Sequence, residues 1–210
     1  MVGKRKLAPA TIRRRFACLR AFFRRLADLG HLSNPFAAWR LRLPRRKRLP
    51  RTLSRSEIST LLLTVKAESA ISRRDHEKVY ATAIRLMVAT GIRVEELCKL
   101  PVEDISPDGS SFRIQGKGSR DRIAYIADTS LQREIQQLLK YRRTNGAVGP
   151  LLVNRSGKQL KPQSIRSRLR GHGIKLGLSR RITPHMLRHT AATLLASISA
   201  LFNGSSVTQV

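Results

Sequence analysis

Acidic residues are scarce in this chain. Asp and Glu number 13 against 42 Lys and Arg, giving a net charge of +29 over 210 residues. Such a field draws in polyanions and makes their binding salt-dependent. Nucleic acid is therefore the first candidate partner. Cysteine is nearly absent: Cys18 and Cys98 both sit in helical patterns with apolar neighbours, which reads as two buried, reduced thiols. No CxxC and no paired Cys/His spacing occurs, which removes a disulfide framework and a zinc site. Clustered carboxylates are also lacking. Asp75-His76-Glu77 and Glu103-Asp104 are the only candidates, and adjacent residues do not converge on one ion, so no metal and no cofactor is expected. No long uncharged apolar run is present, so a membrane is not the expected partner and the expected location is cytoplasmic. Tyrosine occurs only as Tyr80, Tyr125 and Tyr141.

Hydrophobic residues make up 41% of the chain, enough for a real core. Ile12, Phe16, Leu19, Phe23 and Leu26 recur at helical spacing, with Arg13, Arg20, Arg24 and Arg25 mainly off that stripe and Gly30 as a stop. Asn34-Pro35 reads as an N-cap and first helical residue, opening a short helix through Trp39. Two helices with a strong apolar face need a partner. Leu43 to Arg51 is a basic linker bracketed by Pro44 and Pro50, readable as a solvated tether or, favoured in a chain this basic, as a strap along a DNA backbone through Arg46, Lys47 and Arg48. Ser54-Arg55-Ser56-Glu57 is a capping box. A longer helix near Arg73 to Thr90 follows, broken by Gly91, and a short one runs from Arg93 to before Pro101. Phe112 to Gln115 and Arg122 to Ile126 alternate like paired strands around the turn Gly116-Lys117-Gly118. Helices are expected over Leu131–Arg143, from Pro162 to about Lys175, and from Thr183-Pro184 onward. From Thr190 to Val210 no side chain is charged, and Asn203-Gly204-Ser205-Ser206 does not read as helix. That shift in composition reads as a replaced ending.

The chemistry lies in two short segments and the turn between them. His185 and Arg188 are three apart on one helix and are expected in its first turn, where free N–H groups favour an anion. Arg93 opens another helix after a glycine break. Two preorganised guanidinium groups stabilise the charge that builds on a phosphoryl group under attack, without a metal. Lys117 on a hairpin tip can protonate a departing oxygen, and His185 can donate a hydrogen bond or move a proton. Glu96, three from Arg93, is placed to hold that arginine. His31, His76 and His172 read as surface or loop histidines.

The order of these motifs resembles the phage-integrase family of tyrosine recombinases, close to its Xer-type and integron-type members. Thr90-Gly91-Ile92-Arg93-Val94-Glu95-Glu96-Leu97 is similar to the family's first arginine box, Gly116-Lys117-Gly118 to its hairpin lysine, and His185-Met186-Leu187-Arg188-His189 to its second box. The resemblance implies catalytic roles for Arg93, Lys117, His185 and Arg188, supporting roles for Glu96 and His189, and DNA contacts from Arg13, Arg20, Arg24, Arg46, Lys47 and Arg48. It implies a mainly α fold with a small antiparallel β-sheet: a partial helical (SAM-like) core-binding domain over residues 1–42, a basic linker over 43–52, a tyrosine-recombinase catalytic domain over 53–195, and an atypical, out-of-frame tail over 196–210. It also implies double-stranded DNA as partner and, for intact relatives, homo- or hetero-tetramers on that DNA. The family's Gly-His or Gly-Trp motif and its nucleophilic tyrosine have no counterpart after Arg188, and Tyr80, Tyr125 and Tyr141 are poor substitutes. The expectation is a recombinase shortened at both ends and inactive alone. The competing readings are a non-catalytic nucleic-acid-binding protein and a basic structural or ribosome-associated protein.

Overall fold

The computed structural model describes residues 7–41, 52–72, 75–116, 121–144, 146 and 148–204, without the side chains of 75 and 198–204. The chain forms two units, Met1–Leu49 and Pro50–Val210.

In the first unit, α1 (Pro9–Asp28) starts with proline in its first turn. It ends in a Schellman motif: Gly30 takes φ +74°, its N–H donates to the Ala27 carbonyl at 2.9 Å, and the His31 N–H donates to that of Leu26 at 3.0 Å. The segment after it is not the expected helix. The Asn34 side chain accepts from the Phe36 N–H at 2.9 Å, and Ala37 and Trp39 donate three residues back. Asn34 thus closes a turn on its own backbone in place of capping a helix. These turns set Phe36 against Phe16 and Phe23, with ring centroids 5.7 and 5.2 Å away. No residue of α1 is fully buried. Cys18 is therefore exposed, contrary to the expected buried thiol; it lies off the stripe that the aromatic rings cover.

The second unit is built around α3 (Asp75–Thr90). Its stretch Ala81 to Met87 is buried on every side, as a helix in the middle of a domain must be. Around it pack α2 (Arg55–Ile71), α4 (Val94–Lys99), α5 (Thr129–Thr144), α6 (Pro162–Lys175) and α7 (Pro184–Gly204). The capping box of α2 forms as read: the Glu57 N–H donates to Ser54 Oγ, and the Ser54 N–H donates to Glu57 Oε2 at 2.7 Å. Buried in the middle of α3, Arg85 donates to Glu134, to Asp128 at 2.7 Å and to Ser130 at 2.6 Å, which ties α3 to α5 without leaving the cation unpaired.

Strands β1 (Ser111–Ile114) and β2 (Arg122–Tyr125) pair antiparallel, with Ile114 opposite Arg122 and Phe112 opposite Ala124. Phe112 and Ile114 face the core, while Ile123 and Tyr125 face outward. Helix α7 is capped by Thr183, whose hydroxyl accepts from the Met186 N–H at 3.3 Å. It runs without a break past residue 195 to Gly204, so Asn203 and Gly204 close a helix instead of interrupting one. Its Thr190 hydroxyl accepts from the buried Leu53 N–H at 2.9 Å, fastening the start of this unit to α7. His172 is a further correction: it is buried on α6, because Ile165, Leu169 and His172 share the face turned to the core. Its Nδ1 lies 3.9 Å from Glu68, and burial lowers its pKa. Among the described residues no helix is long and apolar enough to cross a membrane.

Candidate functional site

The helix break at Gly91 organises the site. Gly91 takes φ +62°, and its N–H donates to the Met87 carbonyl, ending α3. The chain turns, and Arg93 becomes the N-cap residue of α4. From α7, Arg188 Nη1 donates to the Gly91 carbonyl at 2.5 Å. The two arginines, far apart in sequence, are thus fixed to one turn. Arg188 is the fifth residue of α7 and not in its first turn; its guanidinium is positioned by Gly91, and only His185 belongs to that first turn.

Glu96 does hold Arg93. Its Oε1 accepts from Arg93 Nη1 at 2.8 Å and its Oε2 from the Arg93 N–H at 3.0 Å. A residue that the sequence reading passed over joins them. Arg122, the first residue of β2, donates to Glu96 through Nη2 at 2.6 Å and Nη1 at 3.3 Å. The strand alternation was the available signal, because it turns Arg122 to the inner face beside Ile114. Burial acts to raise the Glu96 pKa, but the hydrogen bonds from Arg122 and Arg93 outweigh it and bring it down to about 2. Burial of Arg188 lowers its pKa, and the positive charges of Arg93 and Arg122 lower it further against the opposing pull of Glu96. Three guanidinium groups therefore crowd around one carboxylate. The cluster carries a surplus of positive charge, a field suited to an anion, and the Arg93 side chain is 57% exposed.

His185 and His189 form a second pair one turn apart on α7. Their Nε2 atoms are 2.9 Å apart and the rings meet edge to face at 4.3 Å, so one ring donates and the other accepts. Lys117, Arg46, Lys47 and Arg48 lie outside the described residues. Between β1 and β2 the Gly116 N–H donates to Asp121 Oδ1 at 3.2 Å. Arg13, Arg20 and Arg24 lie along α1 in the first unit. The tyrosines are placed elsewhere. Tyr80 lies under the Arg168 guanidinium at 4.8 Å, Tyr125 is on the opposite face of β2 from Arg122, and Tyr141 is exposed on α5. Among the described residues no three or more His, Cys, Asp or Glu gather as a metal site.

Fold and site together define a helical domain that brings Arg93, Arg122 and Arg188 close to one another. The model of the Phage integrase family matches residues 51–200. The chain belongs to that family. The tyrosine recombinase of Agathobacter rectalis is 31% identical over 199 residues, covering 90% of this chain and 64% of that protein. Tyrosine recombinase XerC of Syntrophus aciditrophicus is 34% identical over 206 residues, covering 94% of this chain and 64% of that one. The chain thus spans less than two thirds of the length of these relatives. Among solved structures, the XerH site-specific recombinase bound to difH substrate matches 94% of this chain and 57% of its own with a TM-score of 0.71 at 22% identity, which shows the shared fold.

Proposed function

We propose that this chain carries the phosphate-binding site of a site-specific DNA recombinase. The supporting observation is the fixing of Arg93 and Arg188 to the Gly91 turn, with Glu96 holding the first of them. In this reading both arginines bind the scissile phosphate of double-stranded DNA. Arg13, Arg20, Arg24, Arg46, Lys47 and Arg48 add backbone contacts. A tyrosine oxygen attacks phosphorus and forms a 3′-phosphotyrosyl bond. The bond from phosphorus to the 5′-oxygen breaks, and Lys117 gives that oxygen its proton. His185, backed by His189, supports proton transfer. The covalent link conserves bond energy, so rejoining to a partner strand needs neither ATP nor another cofactor. The attacking tyrosine comes from outside these 210 residues, in an assembly of homo- or hetero-tetramers on DNA, and the reaction belongs to the cytoplasm.

The test is binding of a labelled DNA duplex across a salt series, followed by anisotropy. Arg93→Ala and Arg188→Ala are each expected to weaken binding about tenfold and to lower the salt slope by about one. Arg13→Ala and Arg46→Ala are expected to weaken it about threefold or less, since each is one of many backbone contacts. Equal effects from all four would favour the second reading, a non-catalytic nucleic-acid binder, which the placement of Tyr80, Tyr125 and Tyr141 away from the arginines also supports. On a nicked suicide substrate the chain alone is expected to form no covalent complex. A tyrosine-linked product would assign the attack to one of its own three tyrosines.

A further inference from the structure

Glu96 is shared unequally between two arginines. Arg122 approaches it with both terminal nitrogens, one to each oxygen, at 2.6 and 3.3 Å. Arg93 reaches it with a single side-chain nitrogen at 2.8 Å, its other bond to Glu96 coming from the backbone. A guanidinium offers five donors in a fixed fork, and a carboxylate face accepts one fork at a time. Arg122 therefore fills the face that Arg93 would otherwise take. Glu96 is only 17% exposed and remains ionised to low pH, so it is a standing competitor for the charge of Arg93.

We propose that Arg122 is a positioning residue that occupies Glu96 with its fork and so leaves the fork of Arg93 free for DNA phosphate. The proposal rests on the reading of Arg93 as a phosphate ligand. Without Arg122, Glu96 closes in bidentate fashion on Arg93, which stands three residues before it at the same helix start, and takes it out of service. The carboxylate that orients Arg93 would then neutralise it. Arg122 is also the first residue of β2, so one carboxylate links the β1–β2 pair to the phosphate site.

Coupling distinguishes this from a plain loss of charge. The full chain is assayed by anisotropy with a labelled DNA duplex, in variants checked for folding by thermal melting. Arg93→Ala is expected to weaken binding about tenfold in the wild-type background but less than about twofold once Arg122→Met is present. Adding Glu96→Gln to Arg122→Met removes the competitor and is expected to restore the full effect of Arg93→Ala. Arg122→Lys keeps the charge and loses the fork, so it is expected to behave like Arg122→Met; it also serves if the methionine variant fails to fold. Effects of Arg93→Ala and Arg122→Met that simply multiply would overturn the proposal, as would a lysine variant indistinguishable from wild type. If Arg93→Ala leaves wild-type binding unchanged, the phosphate-site reading itself fails and this inference falls with it.

Discussion

Replacing Gly91 with alanine tests whether the turn that carries both arginines is held in a left-handed conformation. At φ +62° an L-residue suffers a Cβ–carbonyl conflict that glycine avoids, at about 1–2 kcal/mol. Space is not the obstacle. A Cβ at this position meets Ala191 Cβ at 3.5 Å and the Arg188 carbonyl oxygen at 3.8 Å, both ordinary contacts. The loss from Gly91→Ala should thus be the backbone term alone. For a unit of this size it is read as a Tm lowered by about 2–8 °C, with an unchanged denaturant m-value. Gly91→Val should lose more, since a β-branched residue is still less compatible with a positive φ. Chemical denaturation of the three proteins decides the matter. If alanine is neutral or stabilising, the unfolded-state gain of Gly→Ala has gone unopposed, and the left-handed turn is refuted. The Gly91 carbonyl also anchors Arg188. DNA affinity should therefore fall in the folded fraction of Gly91→Ala, a loss that a strain remote from the site would not cause.

Glu96 links the site to acid stability. Its pKa stands at about 2 in the folded chain against an ordinary 4.5, so its pairing stabilises the fold above pH 4.5 and that contribution is lost as pH falls toward 2. The shift corresponds to about 3 kcal/mol. In urea titrations between pH 5 and 2.5, Glu96→Gln should start less stable and lose less on acidification; parallel curves for variant and wild type would refute the linkage. Leu61, fully buried on α2, should lose about 2–5 kcal/mol when cut to alanine, whereas Leu63→Ala, at a position 68% exposed on the same helix, should change stability by less than about 0.5 kcal/mol. Equal losses in denaturant melts would show that α2 does not present Leu61 to the core.

The site was legible in the sequence to the extent that local chemistry fixes it. Arg93 and Glu96 are three residues apart, so a helix start is enough to join them, and the pair forms as read. The strand pair followed from alternation on either side of a glycine-rich stretch, because Phe112 and Ile114 must turn one way and Arg113 the other. What local pattern could not supply was the partner across the fold. Arg122 read only as a strand residue, since its contact with Glu96 depends on how the sheet packs on α4. Cys18 differs for the opposite reason: apolar neighbours in sequence do not by themselves bury a residue, and Cys18 lies on an exposed face of α1. Asn34-Pro35 carried a helix-start signal, but the Asn34 side chain turned to the Phe36 N–H and spent the cap on a turn.

The distinction between Arg93 and Arg188 follows from the same packing. Arg188 is half-buried and anchored to a backbone carbonyl, which cannot be neutralised by protonation and offers no net charge to compete with a ligand. Arg93 is exposed and anchored to a carboxylate, which competes directly for its charge. Only the second arrangement needs a further cation to occupy the competing carboxylate, and Arg122, the first residue of β2, bonds that carboxylate. Removing Arg122 should therefore spare the contribution of Arg188 to DNA binding while erasing that of Arg93. The two arginines of the site become separable by a substitution that touches neither.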